Sequence, residues 1–151
     1  MIAIGLVRPK DRANIGGVVR AAGCYGADMV AIEGNRSHSD VAGAPTDTQK
    51  AHKRIPVVMV DELFAAHPVG AVPVAVDLVP GAVSLFDFVH PARAFYIFGP
   101  EDGTLGGRHM DRCAHRVFVP TNGCMNLAAT VNVVLYDRAA KQAALRQARV
   151  A

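Results

Sequence analysis

Short apolar runs alternate along this chain with segments of helical period. Residues 2–7 and 29–32 predict buried strands, and so do 57–60, 72–76 (interrupted by Pro73), 94–98 and 116–119. Between the first two strands, Ile15, Val18, Val19 and Ala22 fall on one helix face, predicting a helix over 15–25 that stops at Gly26. Residues 34–48 are rich in Gly, Ser, Asp and Pro and predict a loop, with a short helix near 46–52. Asp61 predicts the cap of a helix over 62–66 that stops before Pro68. A short helix over 106–113 and a long terminal one from 126 to about 149 complete the pattern. Strands alternating with helices imply an α/β fold, a mostly parallel sheet with helices on both faces. No linker interrupts the alternation, so a single domain over 1–151 is expected.

Composition narrows the class. Of the 151 residues, 51% are hydrophobic and 19% charged, the balance of a globular domain with a proper core. No apolar run reaches the roughly 18 residues that span a bilayer. The N-terminus lacks the basic-then-apolar order of a signal peptide, so a cytoplasmic protein without membrane contact is expected. Three cysteines without CxxC spacing and six scattered histidines predict neither disulfides nor a metal site. The net charge of +3 concentrates in four clusters: Arg8, Lys10 and Arg12; Lys50, His52, Lys53 and Arg54; Arg108 to Arg116; and Lys141, Arg146 and Arg149. Such clusters fit either phosphate neutralisation or a solvated surface without a partner.

In open parallel sheets ligands sit beyond the carboxyl ends of the strands. Four loops are expected there: 9–17, 77–81, 99–106 and 120–124. In the first, Asn14 is a candidate helix cap, and Gly16 and Gly17 let a backbone or ligand approach. Arg20 is expected to be partly buried in an apolar helix face. It is either a structural guanidinium paired with a carboxylate, for which Glu101 is a candidate, or a cation aimed at a ligand. Glu101 and Asp102, adjacent on a glycine-rich turn, read as helix caps more readily than as an acid–base pair. Asn126 is either a cap or a ligand-binding amide. Cys124 reads as a small buried thiol.

Taken in order, these segments resemble a known family. Asn14-x-Gly16-x-x-x-Arg20, Phe98-Gly99-Pro100-Glu101, then Val119-Pro120 with Met125-Asn126-Leu127, continuing Val131-Asn132-Val133-Val134-Leu135-Tyr136, resemble the SpoU–TrmH branch of the SPOUT RNA methyltransferases. The likeness covers nearly the whole chain and is nearest to the single-domain members that methylate the wobble ribose of tRNA. The resemblance implies a SPOUT-type α/β fold with a deep C-terminal trefoil knot, which binds S-adenosyl-L-methionine. It further implies a homodimer and methyl transfer to a ribose 2′-hydroxyl of RNA, tRNA first. By position, Arg20, Asn14 and Asn126 would be catalytic. Asp77, Leu78, Gly99, Pro100, Glu101, Val119, Cys124 and Met125 would bind the cofactor, and Tyr136 would lie near the site. Cys124 stands where the family usually has serine, and the 120–124 loop is short, with Gly123 at a position that carries a basic residue in the wobble enzymes. The same chemistry on ribosomal RNA, and a non-catalytic S-adenosylmethionine-binding RNA-interaction module, are the alternative readings. An α/β enzyme acting on an unrelated metabolite is a further one.

Overall fold

The computed structural model describes residues 1–36 and 38–148. Seven strands form one all-parallel sheet: β1 (Ile2–Val7), β2 (Met29–Glu33), β3 (Val57–Val60), β4 (Val72–Val76), β5 (Val83–Ser84), β6 (Ala94–Phe98) and β7 (His115–Phe118). Their order across the sheet is β3-β2-β1-β6-β4-β7-β5. β6 lies at the centre with all five residues buried, Tyr96 in register with both Ile4 and Val74. Strands covered on both faces read as continuous apolar runs, which is why β1 and β6 are so legible in the sequence.

Alternation along the strands feeds two cores. Ile4, Leu6, Val74, Val76, Tyr96 and Phe98 pack under α1 (Arg12–Cys24) and α4 (Leu127–Ala148). Ala3, Ala75, Phe95 and Ile97 face the other way, against the 3-10 turn Leu63–Ala66 and α3 (Gly107–Met110). Helices on both faces of a parallel sheet are thus observed. Glu33, at the end of β2, is fully buried under this second face; it accepts from the Leu63 amide at 2.9 Å and contacts His109 Nε2 at 2.8 Å.

Several predicted boundaries are corrected, each for a local reason. α1 begins at Arg12 because the Asp11 side chain, not Asn14, caps it by accepting from the Ala13 amide at 2.8 Å. Its C-terminal end is closed by Gly26 at φ +65°. The helix expected near 46–52 is absent. Instead α2 (His38–Ala42) precedes it, and Asp47 accepts from the amides of Ala51 and His52 to hold a single 3-10 turn at Ala51–Lys53. Glu62 rather than Asp61 caps Leu63–Ala66, accepting from Phe64. α3 is only four residues long, and β7 starts one residue earlier than expected. Two-residue β5 went unpredicted, being too short to carry a period. The last turn expected for α4, at Arg149, lies outside the described residues. None of the described helices is long and apolar enough to cross a membrane.

α1 and α4 lie side by side on the first face, and Gly17 sets their approach. A Cβ built there would stand 2.7 Å from Ala128 Cβ, while one at Gly16 would meet Ala44 Cβ at 2.7 Å. Of the two approaches expected at these glycines, backbone or ligand, it is neighbouring chain that fills the space, α4 at Gly17 and the 44–47 loop at Gly16. Gly17→Leu should force the helices apart and cost about 1–3 kcal/mol. That lowers the melting temperature by about 2–4 °C per kcal/mol, read by circular dichroism. An unchanged midpoint would show that the helix pair yields freely.

Candidate functional site

Three neighbouring strands, β6, β4 and β7, end side by side, and the residues that follow them are Gly99, Asp77 and Val119. Together with the segment 120–125 they enclose a pocket of about 640 Å³. All eight residues expected to bind a cofactor line it: Asp77, Leu78, Gly99, Pro100, Glu101, Val119, Cys124 and Met125. Its walls are largely apolar, with Val76, Phe98 and Leu127 behind and Leu78, 76% exposed, at the mouth. An exposed leucine beside free backbone groups is a surface suited to a flat heterocycle.

The pocket is braced from below. Asp77 Oδ2 accepts from the Leu105 amide at 2.6 Å, tying the turn after β6 to the end of β4. Glu101 accepts from the amides of Lys10 and Asp11 at 2.9 and 3.2 Å and from Asn14 Nδ2 at 3.0 Å, so the first loop and the 99–106 turn are one unit. Lys10 Nζ also bonds Asp102. Desolvation alone would raise the Glu101 carboxyl, but the amides of Lys10, Glu101 and Asp11 and the Asn14 amide group outweigh it and hold it below the usual range. Glu101 and Asp102 therefore join loops; they do not cap a helix.

Asn126 is the cap of α4, its Oδ1 accepting from the Ala129 amide at 2.7 Å, and its side chain is exposed at the edge of the pocket without lining it. Cys124 is exposed, contrary to the buried thiol expected, because the short 120–124 segment has no element packed over it. Tyr136 lies on the solvent face of α4, 64% exposed and outside the pocket lining.

Arg20 is the larger departure. It is exposed, not part-buried, because Val18, Val19, Ala21 and Ala22 turn inward and leave position 20 on the outer face of α1. Its guanidinium donates to Thr48 Oγ1 at 3.1 Å, and Glu101 is engaged elsewhere. Arg20 does not line the pocket of its own chain. Among the described residues no group of three or more His, Cys, Asp or Glu side chains could hold a metal ion.

Comparison with known proteins bears on what this pocket serves. The model of the SpoU rRNA Methylase family matches residues 1–136. The chain belongs to that family. Among solved structures, the SpoU methyltransferase AviRb from Streptomyces viridochromogenes superposes with a TM-score of 0.80 at 20% identity, covering 95% of this chain and 60% of that one. An AdoMet-bound rRNA methyltransferase from Sinorhizobium meliloti gives 0.79 at 21%, over 91% and 55%. This chain therefore spans little more than half the length of either. A third structure, described as giving insight into the 2-OH methylation of C/U34 on tRNA, gives 0.77 at 23%, over 95% of this chain and 97% of that one. At these identities the likeness is one of fold. A comparison with curated proteins returns no match.

Sequence reasoning missed the bracing by Lys10 and Asp11, because backbone amides leave no residue-type signal. It also missed Thr48 as the partner of Arg20, since a threonine 28 positions away in a loop carries no pattern. Thr130, which also lines the pocket, could have been found from its position one turn beyond Asn126, whose carbonyl its hydroxyl contacts at 2.9 Å.

The Glu101 clasp makes the protein acid-sensitive in a definite direction. Its folded pKa lies below the ordinary 4.5, so its stabilisation is full above that pH and is lost as pH falls through the lowered folded value. Glu101→Gln should melt at a lower temperature than wild type at pH 7 and lose less on acidification to pH about 3. Glu33 and Asp47 are shifted the same way and act equally in both proteins. Identical acid-induced losses in the two would show that the clasp is not ionic.

Proposed function

We propose that this chain is one domain of a cytoplasmic, homodimeric S-adenosyl-L-methionine-dependent methyltransferase that acts on a ribose 2′-hydroxyl of RNA, with tRNA as substrate. The observation that carries the reading is the pocket at the ends of β4, β6 and β7, lined by every residue assigned to the cofactor, in a chain of the SpoU family. The tRNA assignment is supported by the likeness in fold to the structure described for 2-OH methylation of C/U34 on tRNA.

The pocket fits the cofactor by its chemistry. Leu78, Val119 and Met125 offer apolar surface for adenine, and the exposed 120–124 backbone offers the amides and carbonyls that read its edge. Gly99 keeps the floor open; a Cβ there would already stand 3.2 Å from the Leu105 amide nitrogen. When bound, S-adenosylmethionine supplies a methyl group already activated by its sulfonium. The trefoil knot is supported by one topological fact: β7 pairs between β4 and β5, although β5 follows β4 directly in the chain.

The remaining difficulty is the weakly acidic hydroxyl. A guanidinium such as that of Arg20 is a poor general base at neutral pH. Its role is to stabilise the oxyanion developing on the 2′-oxygen and to grip the adjacent phosphate, while phosphate or water takes the proton. Alignment of the oxygen with the methyl group lowers the barrier by about 7–11 kcal/mol when attack distance is enforced. Because Arg20 does not line the pocket of its own chain, it serves the pocket of a second copy, and the site is completed between subunits. Asn14 acts on the pocket through Glu101. Asn126 sets the start of α4, the helix that carries Leu127 and Thr130 into the lining. Dimerisation is supported by Leu78, Val83, Phe86, Val89 and Tyr136, large apolar side chains left 47–92% exposed in one chain along with Val69.

Calorimetry should show S-adenosylhomocysteine binding, and sedimentation should give a dimer. Methyl incorporation into bulk tRNA should exceed that into ribosomal RNA. Arg20→Ala should lose about 3 kcal/mol of transition-state stabilisation, on the order of a hundredfold in rate, with cofactor affinity unchanged. Absent cofactor binding would end the methyltransferase reading; full turnover by Arg20→Ala would leave a pocket without this arginine in its chemistry.

A further inference from the structure

Most of the basic clusters are internally neutralised. Arg8 meets Glu33, Lys10 meets Asp102, Arg12 meets Asp40, Arg108 and Arg112 meet Glu62, Arg116 meets Asp111, and Lys141 meets Asp137. One cluster holds several neighbouring cations that are unmatched. Among the described residues Lys50, Lys53 and Arg54 have no carboxylate within 4.0 Å, and neither has Arg20 beside them. The segment that carries them runs down the flank of α1: Thr48 bonds Arg20, and the Arg54 Nη2 atom lies 4.0 Å from the Cβ position of Gly23, one helical turn further on. Lys50 is held exposed on a left-handed backbone, φ 52°, a conformation that L side chains adopt at a cost.

Lys53 and Arg54 line a groove of about 480 Å³, inside the roughly 300–1,000 Å³ of small-ligand sites, and Lys50 and Arg20 lie outside its lining. Its apolar lining comes from the buried Val41 and Ile55 and from the exposed Ala42 and Pro56. His52 lines it as well, with Nδ1 fixed by Asp47 at 2.6 Å, which leaves Nε2 as the ring nitrogen available to a ligand. An apolar lining with unmatched positive charge at the rim is complementary to a nucleotide of a single strand: base inside, phosphates outside.

We propose that this groove, between α2 and the start of β3, seats an RNA nucleotide flanking the reacting one, with its phosphates on Lys53 and Arg54 and the strand continuing past Lys50 to Arg20. The inference rests on the RNA methyltransferase reading, and it adds where the strand lies on this chain.

The test uses labelled total tRNA, anisotropy titrations between about 50 and 200 mM salt, and S-adenosylhomocysteine calorimetry as a folding control. The double variant Lys53→Ala, Arg54→Ala should lower the slope of log K against log salt by about 1.4, at about 0.7 per single-strand phosphate. Ala42→Trp, which fills the groove and leaves the charge alone, should weaken binding on the order of tenfold with an unchanged slope. Arg112→Gln, which removes a matched cation from the opposite face, should do neither. A double variant with the slope of Arg112→Gln, or an Ala42→Trp protein of wild-type affinity, overturns the proposal, as does a wild-type protein that binds cofactor but no tRNA. If the variants behave as stated and S-adenosylhomocysteine fails to bind, the groove stands and the methyl-transfer reading falls.

Discussion

The insertion of β7 between β4 and β5 is the constraint on which the rest of the molecule depends. A strand that pairs with β4 on one side and with the connection leaving β4 on the other brings three carboxyl ends, those of β6, β4 and β7, into one row. Without it, Val119 and the 120–125 segment would have no reason to lie against Asp77 and Gly99. The pocket is therefore a consequence of topology first and of side chains second. That also explains why its lining includes so few charged groups: backbone from three loops supplies the polar atoms, and Leu78, Val119 and Leu127 supply the surface.

Topology alone would leave those loops free to drift. The carboxylates counter this by being spent on backbone amides. Asp77 takes Leu105, Glu101 takes Lys10 and Asp11, and Asp47 takes Ala51 and His52. Each holds a loop that has little apolar burial of its own, and hydrogen bonds to a charged acceptor are about twice as strong as neutral ones. Such carboxylates are poor candidates for acid–base work because their lone pairs are committed. Glu101, which sequence alone leaves open to a catalytic reading with Asp102, holds two loops together for that reason.

What the sequence disclosed and what it hid divide along the same line. Strands buried on both faces, such as Ile2–Val7 and Ala94–Phe98, are continuous apolar runs and were legible at once. So was the α/β alternation, and the eight residues that the resemblance to the SpoU–TrmH family assigned to the cofactor all line one pocket. Features set by long-range partners were not legible. Asp11 and Asn14 are both good caps, and only the fold decides that Asn14 turns to Glu101, 87 residues away. Arg138 on α4 is another case. It is 2% exposed, donating to the carbonyls of Pro91 and Ala92 and to Tyr96 Oη, an anchor no local pattern announces. The burial expected for Arg20 failed because helical periodicity gives a face only to within a residue or so, and position 20 falls just off the apolar stripe.

That displacement of Arg20 has a physical reading. A guanidinium placed inside its own apolar pocket would have to be paired to be tolerated, and a paired arginine is unavailable to a substrate. On the outer face of α1 its only hydrogen-bond partner among the described residues is a threonine hydroxyl, a neutral contact easily exchanged for an anion. The charge is kept solvated and free in the single chain. On the proposed reading it is desolvated only where a phosphate and a second surface arrive together, the arrangement in which an electrostatic contact is strongest. On the proposed reading, division of the site between two copies lets one sequence carry an apolar donor pocket and an unpaired cation without either compromising the other.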